Sequence, residues 1–449
     1  MANLLRWPEA LPLGGRESKI TAILADAAEG RCVALAGVSN SGKSFTLRAL
    51  CRAAEARGEQ AVFVYVDCNR MVAFSDQGFY ELVLRCVKTT LAASPLAPTL
   101  ERCYEDIVSP GSPFLAHLRF SEAITTVCEG EESPQRLVLV LDEFDEIMRD
   151  IDDRVLLNLR ALRDTYPARL SYVTACGRRL SAMRHSHGSE EFAELFGQAT
   201  HFLPPLSAEA AAALVGRWVR EDNLALTPAE MPLLMVETGG HPGLLAAAGY
   251  ALSTLRLEAQ AMRRTLTLAR IEDQLDSDIA CQEECSKLWQ ELDDDERHAL
   301  LQEAPEEGTI TACQSLLERH LLQRAEGRLR PFCRLFAAYA HRQRIMRQAG
   351  ARGVRVDVDS GSVWVDGRPA PTLTDLEYRL LLVLYGHLDK IVDRYTVVQA
   401  VWGDQYIEEV EDARIEKLMS RLRQKIEPNS AEPRYLLTIR GRGYKLASP

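Results

Sequence analysis

Three short, unbroken apolar runs stand out in the first half of the chain: Cys32-Val33-Ala34-Leu35-Ala36, Ala61 to Val66, and Leu137 to Leu141. A fourth, Leu170 to Cys176, is interrupted only by Ser171 and Thr174. Runs of this length without alternation mark strands covered on both faces, as in a parallel sheet. Stretches at Ser18–Ala28, Phe45–Leu50 and Asp76–Ser94 read as helices, and 94–113, with Pro and Ser at both ends, as a loop region. After Ser207, a natural helix N-cap, the pattern becomes helical. Gly239-Gly240-His241-Pro242-Gly243 is a tight turn opening a helix with Pro in its first turn. Short helices then lead from Ser286 toward Arg344 through a strand–turn–strand at Leu321–Arg330, and Ala349–Gly353 reads as a linker. Val354 to Asp366 alternates like a hairpin around Asp359-Ser360-Gly361. Thr374 and Glu377 form a capping box for a helix carrying Leu380, Leu381, Leu384 and Tyr385. Helices at Arg394–Trp402 and Glu411–Ile426 and a hairpin at Tyr435–Leu446 complete the pattern.

Size and charge narrow this picture. The 449 residues suggest roughly three domains. Net charge is −11, so any nucleic-acid-binding surface must be local. Eleven cysteines are scattered without a C-x-x-C pair, and Cys281 and Cys285 share a helix face without completing a metal set; they read as reduced core thiols. No run reaches the ~20 apolar residues of a membrane span, and Met1 to Pro8 lacks a signal-peptide layout. The expectation is a cytoplasmic, nucleoid-associated protein with no membrane partner.

The chemistry concentrates after the first apolar run. Gly37-Val38-Ser39-Asn40-Ser41-Gly42-Lys43-Ser44 is a G-x-x-x-x-G-K-S loop between a strand and a helix. Its backbone N–H groups and the helix dipole face phosphates. Lys43 reaches the β- and γ-phosphates, and the Ser44 hydroxyl takes Mg²⁺. Gly37, Asn40, Ser41, Gly42, Lys43, Ser44 and Phe45 are the nucleotide contacts this pattern predicts. The third run ends in Asp142-Glu143, where Asp142 would hold Mg²⁺ and Glu143 would polarise the attacking water. Asp67 ends the second run at the ligand side of the sheet, as a helix cap or a ligand contact.

With that loop in place, other segments resemble the STAND signal-transduction ATPases and their AAA+ relatives. Leu13-Gly14-Gly15-Arg16-Glu17 resembles their Gly-Arg-Glu box, which implies Arg16 against the base. Asp142-Glu143-Phe144-Asp145-Glu146 resembles the acidic box of STAND and origin-recognition ATPases. Thr174 and Arg178 (or Arg179) match a polar residue and a γ-phosphate-sensing arginine, which puts Arg178 with Lys43 and Glu143 in the catalytic set. Leu203 to Ser207 resembles the start of the helical lid, and the Gly239–Gly243 turn their Gly-x-Pro box, which implies Pro242 at the base. The resemblance implies ATP or ADP with Mg²⁺, and slow hydrolysis as a switch. The fold expected is multidomain: an α/β P-loop core with a parallel sheet at 1–205, a helical lid at 206–280, an α-rich winged helix at 281–348 and an α+β winged helix-turn-helix at 354–449.

The last of these rests on a basic helix. Arg414, Lys417, Arg421, Arg423 and Lys425 lie outside an apolar stripe of Ile415, Leu418, Leu422 and Ile426. Ala400-Val401-Trp402-Gly403, Ser420 to Lys425 and Arg440-Gly441-Arg442-Gly443-Tyr444 resemble the OmpR/PhoB effector domain along its whole length. That resemblance implies a recognition helix in the major groove of double-stranded DNA and a wing in the minor groove. Arg414, Glu416, Lys417 and Ser420 fall at base-facing positions; Arg421, Arg423 and Lys425 fall toward the backbone-contacting or structural side; Arg440, Arg442 and Lys445 belong to the wing. The loop 403–410 sits where this family meets RNA polymerase. Together the two halves suggest a transcription regulator whose promoter binding follows nucleotide state, closed with ADP, open and self-associating with ATP. The other reading is a DNA-remodelling or loading ATPase with the winged helix as tether.

Overall fold

The computed structural model describes residues 16–57, 61–109, 113–130, 134, 136–197, 199–301, 310–325, 328–348, 353–358, 361–406, 409–430 and 432–448. Gly14, Gly15, linker residues 349–352, Asp359, Ser360, Glu326, Gly327, Ile407 and Glu408 lie outside the described residues. Two compact units are present, Arg6–Ala210 and Ala211–Pro449. Among the described residues no helix is long and apolar enough to cross a membrane.

In the first unit the four apolar runs are strands β1 (Val33–Ala36), β2 (Ala61–Asp67), β3 (Arg136–Asp142) and β4 (Leu170–Cys176), joined by β5 (Thr200–Phe202). All are parallel, in the order β2-β3-β4-β1-β5. The helices are α1 (Glu17–Ala28), α2 (Lys43–Ala56), α3 (Asp76–Thr90), α4 (Ala97–Val108), α5 (Pro113–Glu129), α6 (Asp145–Asp150), α7 (Asp153–Thr165) and α8 (His187–Glu194). They cover both faces, which is why the strand sequences do not alternate. Val138 and Val140 join one core with Leu47 and Leu50 of α2; Leu137, Leu139 and Leu141 join the other with Phe79, Phe120 and Phe192. Within the 94–113 stretch, expected as a loop, Ala97–Val108 is helix α4. Pro98 sits in the first turn of α4, where its missing N–H costs nothing, and Leu100, Cys103 and Ile107 bury one stripe.

The second unit begins within α9 (Ala208–Glu221), capped by Ser207 Oγ accepting from Ala210 N at 3.2 Å. It continues with α10 (Met231–Thr238), α11 (Pro242–Ala261), α12 (Leu268–Ser277), α13 (Ile279–Gln290), α14 (Asp294–Leu301) and α15 (Ile310–Glu318). The hairpin β6 (Leu322–Ala325) and β7 (Arg328–Pro331) is the wing expected there, followed by α16 (Arg334–Gln348). Two ion clusters tie these helices together. Arg319, 1% exposed, donates to Glu296 at 3.0 and 3.1 Å and to Glu291 at 3.1 Å. Arg334 donates to Glu237 at 2.6 and 2.7 Å and to Asp276 at 3.0 and 3.1 Å, joining α10, α12 and α16.

The chain then forms β8 (Val354–Asp357), β9 (Ser362–Val365) and β10 (Arg368–Pro369). After them come α17 (Asp375–Gly386), α18 (Arg394–Trp402), α19 (Asp412–Ile426), β11 (Leu436–Ile439) and β12 (Gly443–Leu446). Their shared core includes Leu380, Leu384, Val397, Ile415, Leu422 and Leu446. This winged helix is seated on the preceding helices. A Cβ at Gly386 would lie 2.8 Å from Gln282 Nε2 and 2.9 Å from Ser277 Cα, so the end of α17 meets the α12–α13 junction backbone to backbone. Around that point Lys390 pairs with Asp273, and Gln399 donates to Glu258.

Gly386→Val forces this contact apart, at an overpacking cost of about 1–3 kcal/mol. Amide hydrogen exchange is expected to rise in α12 and at the end of α17 while α19 keeps its protection. Unchanged exchange in α12 would show that the seat is not held by this close approach.

Candidate nucleotide site and DNA interface

The loop after β1 turns on two left-handed residues, Asn40 (φ +54°) and Gly42 (φ +92°). Gly42 is the N-cap of α2, and with no Cβ it takes this conformation without strain. Gly37 N and Ser41 N are used within the fold, donating to Cys176 O at 3.0 Å and Val38 O at 3.2 Å, while Gly42 opens α2, and the N–H groups of a first helical turn make an anion site. The loop's carbonyls meet cations. Lys43 Nζ donates to Gly37 O at 2.8 Å and to Val38 O at 3.2 Å. Arg16 Nη2 donates to Ser41 O at 2.6 Å, and Nη1 to Gly42 O at 3.3 Å and Thr46 Oγ1 at 3.4 Å. Burial pulls the Arg16 guanidinium down to about 10. At 1% exposure, Arg16 braces the loop through these carbonyls.

β3 supplies the acidic wall. Asp142, 1% exposed, accepts from Glu143 N at 3.0 Å through Oδ1 and from Tyr65 Oη at 2.5 Å through Oδ2. Each carboxylate oxygen keeps one lone pair. Glu143 adopts φ +53°, a left-handed strain of order 1–3 kcal/mol for a residue with a side chain. Neighbouring main chain holds it there: Phe144 N donates to Ala175 O at 3.1 Å, and Gly177 N to Asp145 Oδ1 at 2.8 Å. Burial raises the Glu143 carboxyl; Lys43 opposes this, and Asp142, Asp145 and Asp67 add to it. Asp67 lies beside Asp142 in register and caps the next turn, accepting from Asn69 N at 3.2 Å.

β4 lies between β1 and β3, so its end reaches the same edge of the sheet. Arg178 follows that end and is half-buried. Thr174 is in register with Leu141 and Ala34 and so shares the face opposite Asp142. Its hydroxyl is not brought to the loop. Ser41 Oγ, inside the loop, is buried without a hydrogen-bond partner among the described residues. That orphaned hydroxyl, the N–H groups that open α2 and the Asp142 lone pairs fit a magnesium-bound nucleoside phosphate. Ser44 and Asp142 would hold the metal.

Pro242 stands at the start of α11 in the second unit, where His241 Nδ1 accepts from Leu244 N at 3.2 Å. The histidine is a cap. Gly239, at φ +59°, has no room for a Cβ, which would lie 2.6 Å from Phe332 Cδ2 and 2.8 Å from Phe332 O. The turn is therefore pressed onto the residues that open α16.

On α19, Arg414, Glu416, Lys417, Ser420 and Arg421 are exposed, as are Arg440 and Arg442 at the hairpin tip. Gly443 is required at the hairpin base: φ is +131° and a Cβ would lie 2.1 Å from Val392 O. Arg423 donates to Leu436 O at 2.8 Å and Thr438 Oγ1 at 2.6 Å, and so binds helix to hairpin. Lys425 likewise serves Thr372 O and Glu377, and Lys445 pairs with Asp389 at 3.3 Å. The free basic face is thus narrower than the charge count suggested. Tyr65 and Arg48, whose guanidinium lies 5.2 Å from the Tyr65 ring centroid, escaped sequence reasoning. The one signal was a hydroxyl-bearing ring inside an otherwise apolar run.

Arg16→Met leaves the Ser41 and Gly42 carbonyls without their charged donor. Nucleotide affinity is expected to fall about tenfold, the effect of losing a charged hydrogen bond of ~1.5 kcal/mol, measured by titration with a fluorescent ADP analogue. Unaltered affinity would mean the loop holds its shape without the brace.

A sequence profile described as Novel STAND NTPase 1 matches residues 13–303, and one described as Transcriptional regulatory protein, C terminal, matches residues 367–446. The sensory transduction protein RegX3 of Mycolicibacterium smegmatis is 38% identical over 93 residues, 21% of this chain and 40% of that protein. The chain spans about two fifths of the length of such relatives. A Walker-type ATPase of Pyrococcus abyssi, 14% identical, covers 75% of this chain and 99% of its own with a TM-score of 0.41. The Klebsiella pneumoniae RstA DNA-binding domain, solved with its RstA box, is 27% identical over 22% of this chain and 93% of its own, with a TM-score of 0.20. The chain belongs to the Novel STAND NTPase 1 family and carries an OmpR/PhoB-type DNA-binding domain at its C-terminal end.

Proposed function

We propose that this chain is a DNA-binding transcription regulator switched by ATP and ADP. One observation supports the reading: the winged helix that reads DNA is seated on the helical body that holds the Gly-x-Pro turn. The Glu237–Arg334–Asp276 cluster joins α10, just before that turn, to α16 and α12, and α12 meets α17 at Gly386. Docking leaves α19 and the hairpin tip exposed, so the seat carries the DNA-binding face instead of masking it.

The mechanism runs from the loop outward. The N–H groups that open α2, at residues 42–44, hold the phosphates with Lys43 and Arg178; Arg16 keeps the loop in shape. Mg²⁺, when bound, neutralises phosphate charge and orients the terminal group. Glu143 holds a water in line with the γ-phosphorus. With ADP the chain is closed and monomeric. With ATP the helical body shifts, the chain self-associates, and several winged helices meet repeated half-sites. Linking weak modules in this way raises avidity by about 10²–10⁴ without new base contacts. Arg414, Glu416, Lys417 and Ser420 face the bases of the major groove, Arg421 its phosphate backbone, and Arg440 and Arg442 of the wing the minor groove, in the compartment that holds the nucleoid. The 403–410 loop, with Tyr406 exposed, meets RNA polymerase.

Two measurements test this. In sedimentation velocity, Glu143→Gln protein is expected to form a larger species with ATP than with ADP; a single monomeric boundary in both would refute the switch. The rate of ATP hydrolysis is expected to rise with pH, because the working form of Glu143 is its carboxylate. Since burial raises that carboxyl, the inflection should lie above the 4.5 of an ordinary glutamate. An inflection at or below that value would argue against Glu143 as the group that holds the water.

A further inference from the structure

α2 presents Ser44 and Arg48 one turn apart, so both lie on one face of the helix that starts at the phosphate loop. β2 and β3 run beside it. Tyr65 pairs with Val140 in register, two residues short of Asp142, and its ring lies on the α2 side of the sheet with Phe63. From there the hydroxyl crosses to Asp142 Oδ2 at 2.5 Å, and the Arg48 guanidinium lies 5.2 Å from the ring centroid. The result is a continuous link, Arg48 to Tyr65 to Asp142, between the helix that carries one candidate metal ligand and the strand that carries the other.

We infer that Tyr65 is a positioning residue for the metal carboxylate: its hydroxyl fixes the plane of Asp142 so that a lone pair faces the Ser44 hydroxyl. This rests on the reading of Asp142 and Ser44 as the Mg²⁺ ligands. The physical ground is the two-point hold on the carboxylate. Glu143 N occupies one lone pair of Oδ1 and Tyr65 Oη one of Oδ2, so rotation of the carboxylate would break a charged hydrogen bond. A carboxylate held by one bond alone is free to turn about it. Arg48 limits the ring in turn: its guanidinium lies over the ring and hydrogen-bonds the Tyr65 side chain.

The test is Mg²⁺ titration of the full chain with a fluorescent ADP analogue at fixed concentration, read as binding and not as turnover. Tyr65→Phe keeps the ring and removes the hydroxyl. Its metal-free affinity for the analogue should equal that of the unaltered protein, while the Mg²⁺ concentration giving half of the metal-dependent gain should rise about tenfold, within the usual range for partners of metal ligands. Arg48→Met should shift the same midpoint by less. An unchanged midpoint in Tyr65→Phe would overturn the inference, and so would an equal loss of affinity with and without Mg²⁺, which is the signature of a merely structural ring. Asp142→Asn separates this inference from the reading beneath it. If Asp142→Asn shifts the midpoint and Tyr65→Phe does not, only the role of Tyr65 fails. If Asp142→Asn leaves it in place, the metal assignment itself fails.

Discussion

The first unit depends on how one short loop disposes of its charges. Between β1 and α2 the main chain must turn its N–H groups to one side, which leaves its carbonyls on the other. Lys43 and Arg16 occupy those carbonyls, one from within the loop and one from the N-cap of α1. Buried carbonyls without donors cost more than an ordinary hydrogen bond contributes, so the two cations let the N–H face stay open to an anion. The sheet order follows the same demand: β1 sits between β4 and β5, and β4 separates it from β3. Asp142 and Glu143 therefore stand at the end of β3, one strand away from the loop.

A second constraint governs the other unit. Its winged helix is not a bead on a string, because Gly386 lets two backbones touch and Arg334 locks the helices on the far side of that contact. An acidic chain that reads DNA must keep its basic face clear of its own carboxylates. The structure does so by seating the domain through the end of α17 and Lys390, leaving α19 and the hairpin tip exposed. Several basic residues of that domain are structural: Arg423, Lys425 and Lys445 hold hairpin, helix and turn together.

Much of this was legible in the residues. Unbroken apolar runs marked β1 to β4 because both faces of the sheet are covered, and the loop, the acidic strand end, the capping box at Thr374 and the α18 and α19 spans all follow local chemistry. The failures have local reasons too. Weighing Pro and Ser at the ends of 94–113 hid the stripe Leu100, Cys103 and Ile107 that makes α4. Thr174 matched by motif position, but strand alternation turns it to the face away from Asp142. The bracing role of Arg16 and the Tyr65 bond to Asp142 join residues far apart in sequence, as does the contact of Gly386 with Ser277. No periodicity encodes such pairs; they appear only when helices and strands are packed.

In the switch proposed for this chain, nucleotide state sets DNA affinity. The direct measurement is fluorescence anisotropy of a duplex from upstream of the protein's own gene, titrated with Glu143→Gln protein at one fixed salt concentration, first with ATP and then with ADP. Affinity at least about tenfold higher with ATP, a coupling of ~1.4 kcal/mol or more, is the expected result. Equal affinity in the two states would contradict the switch.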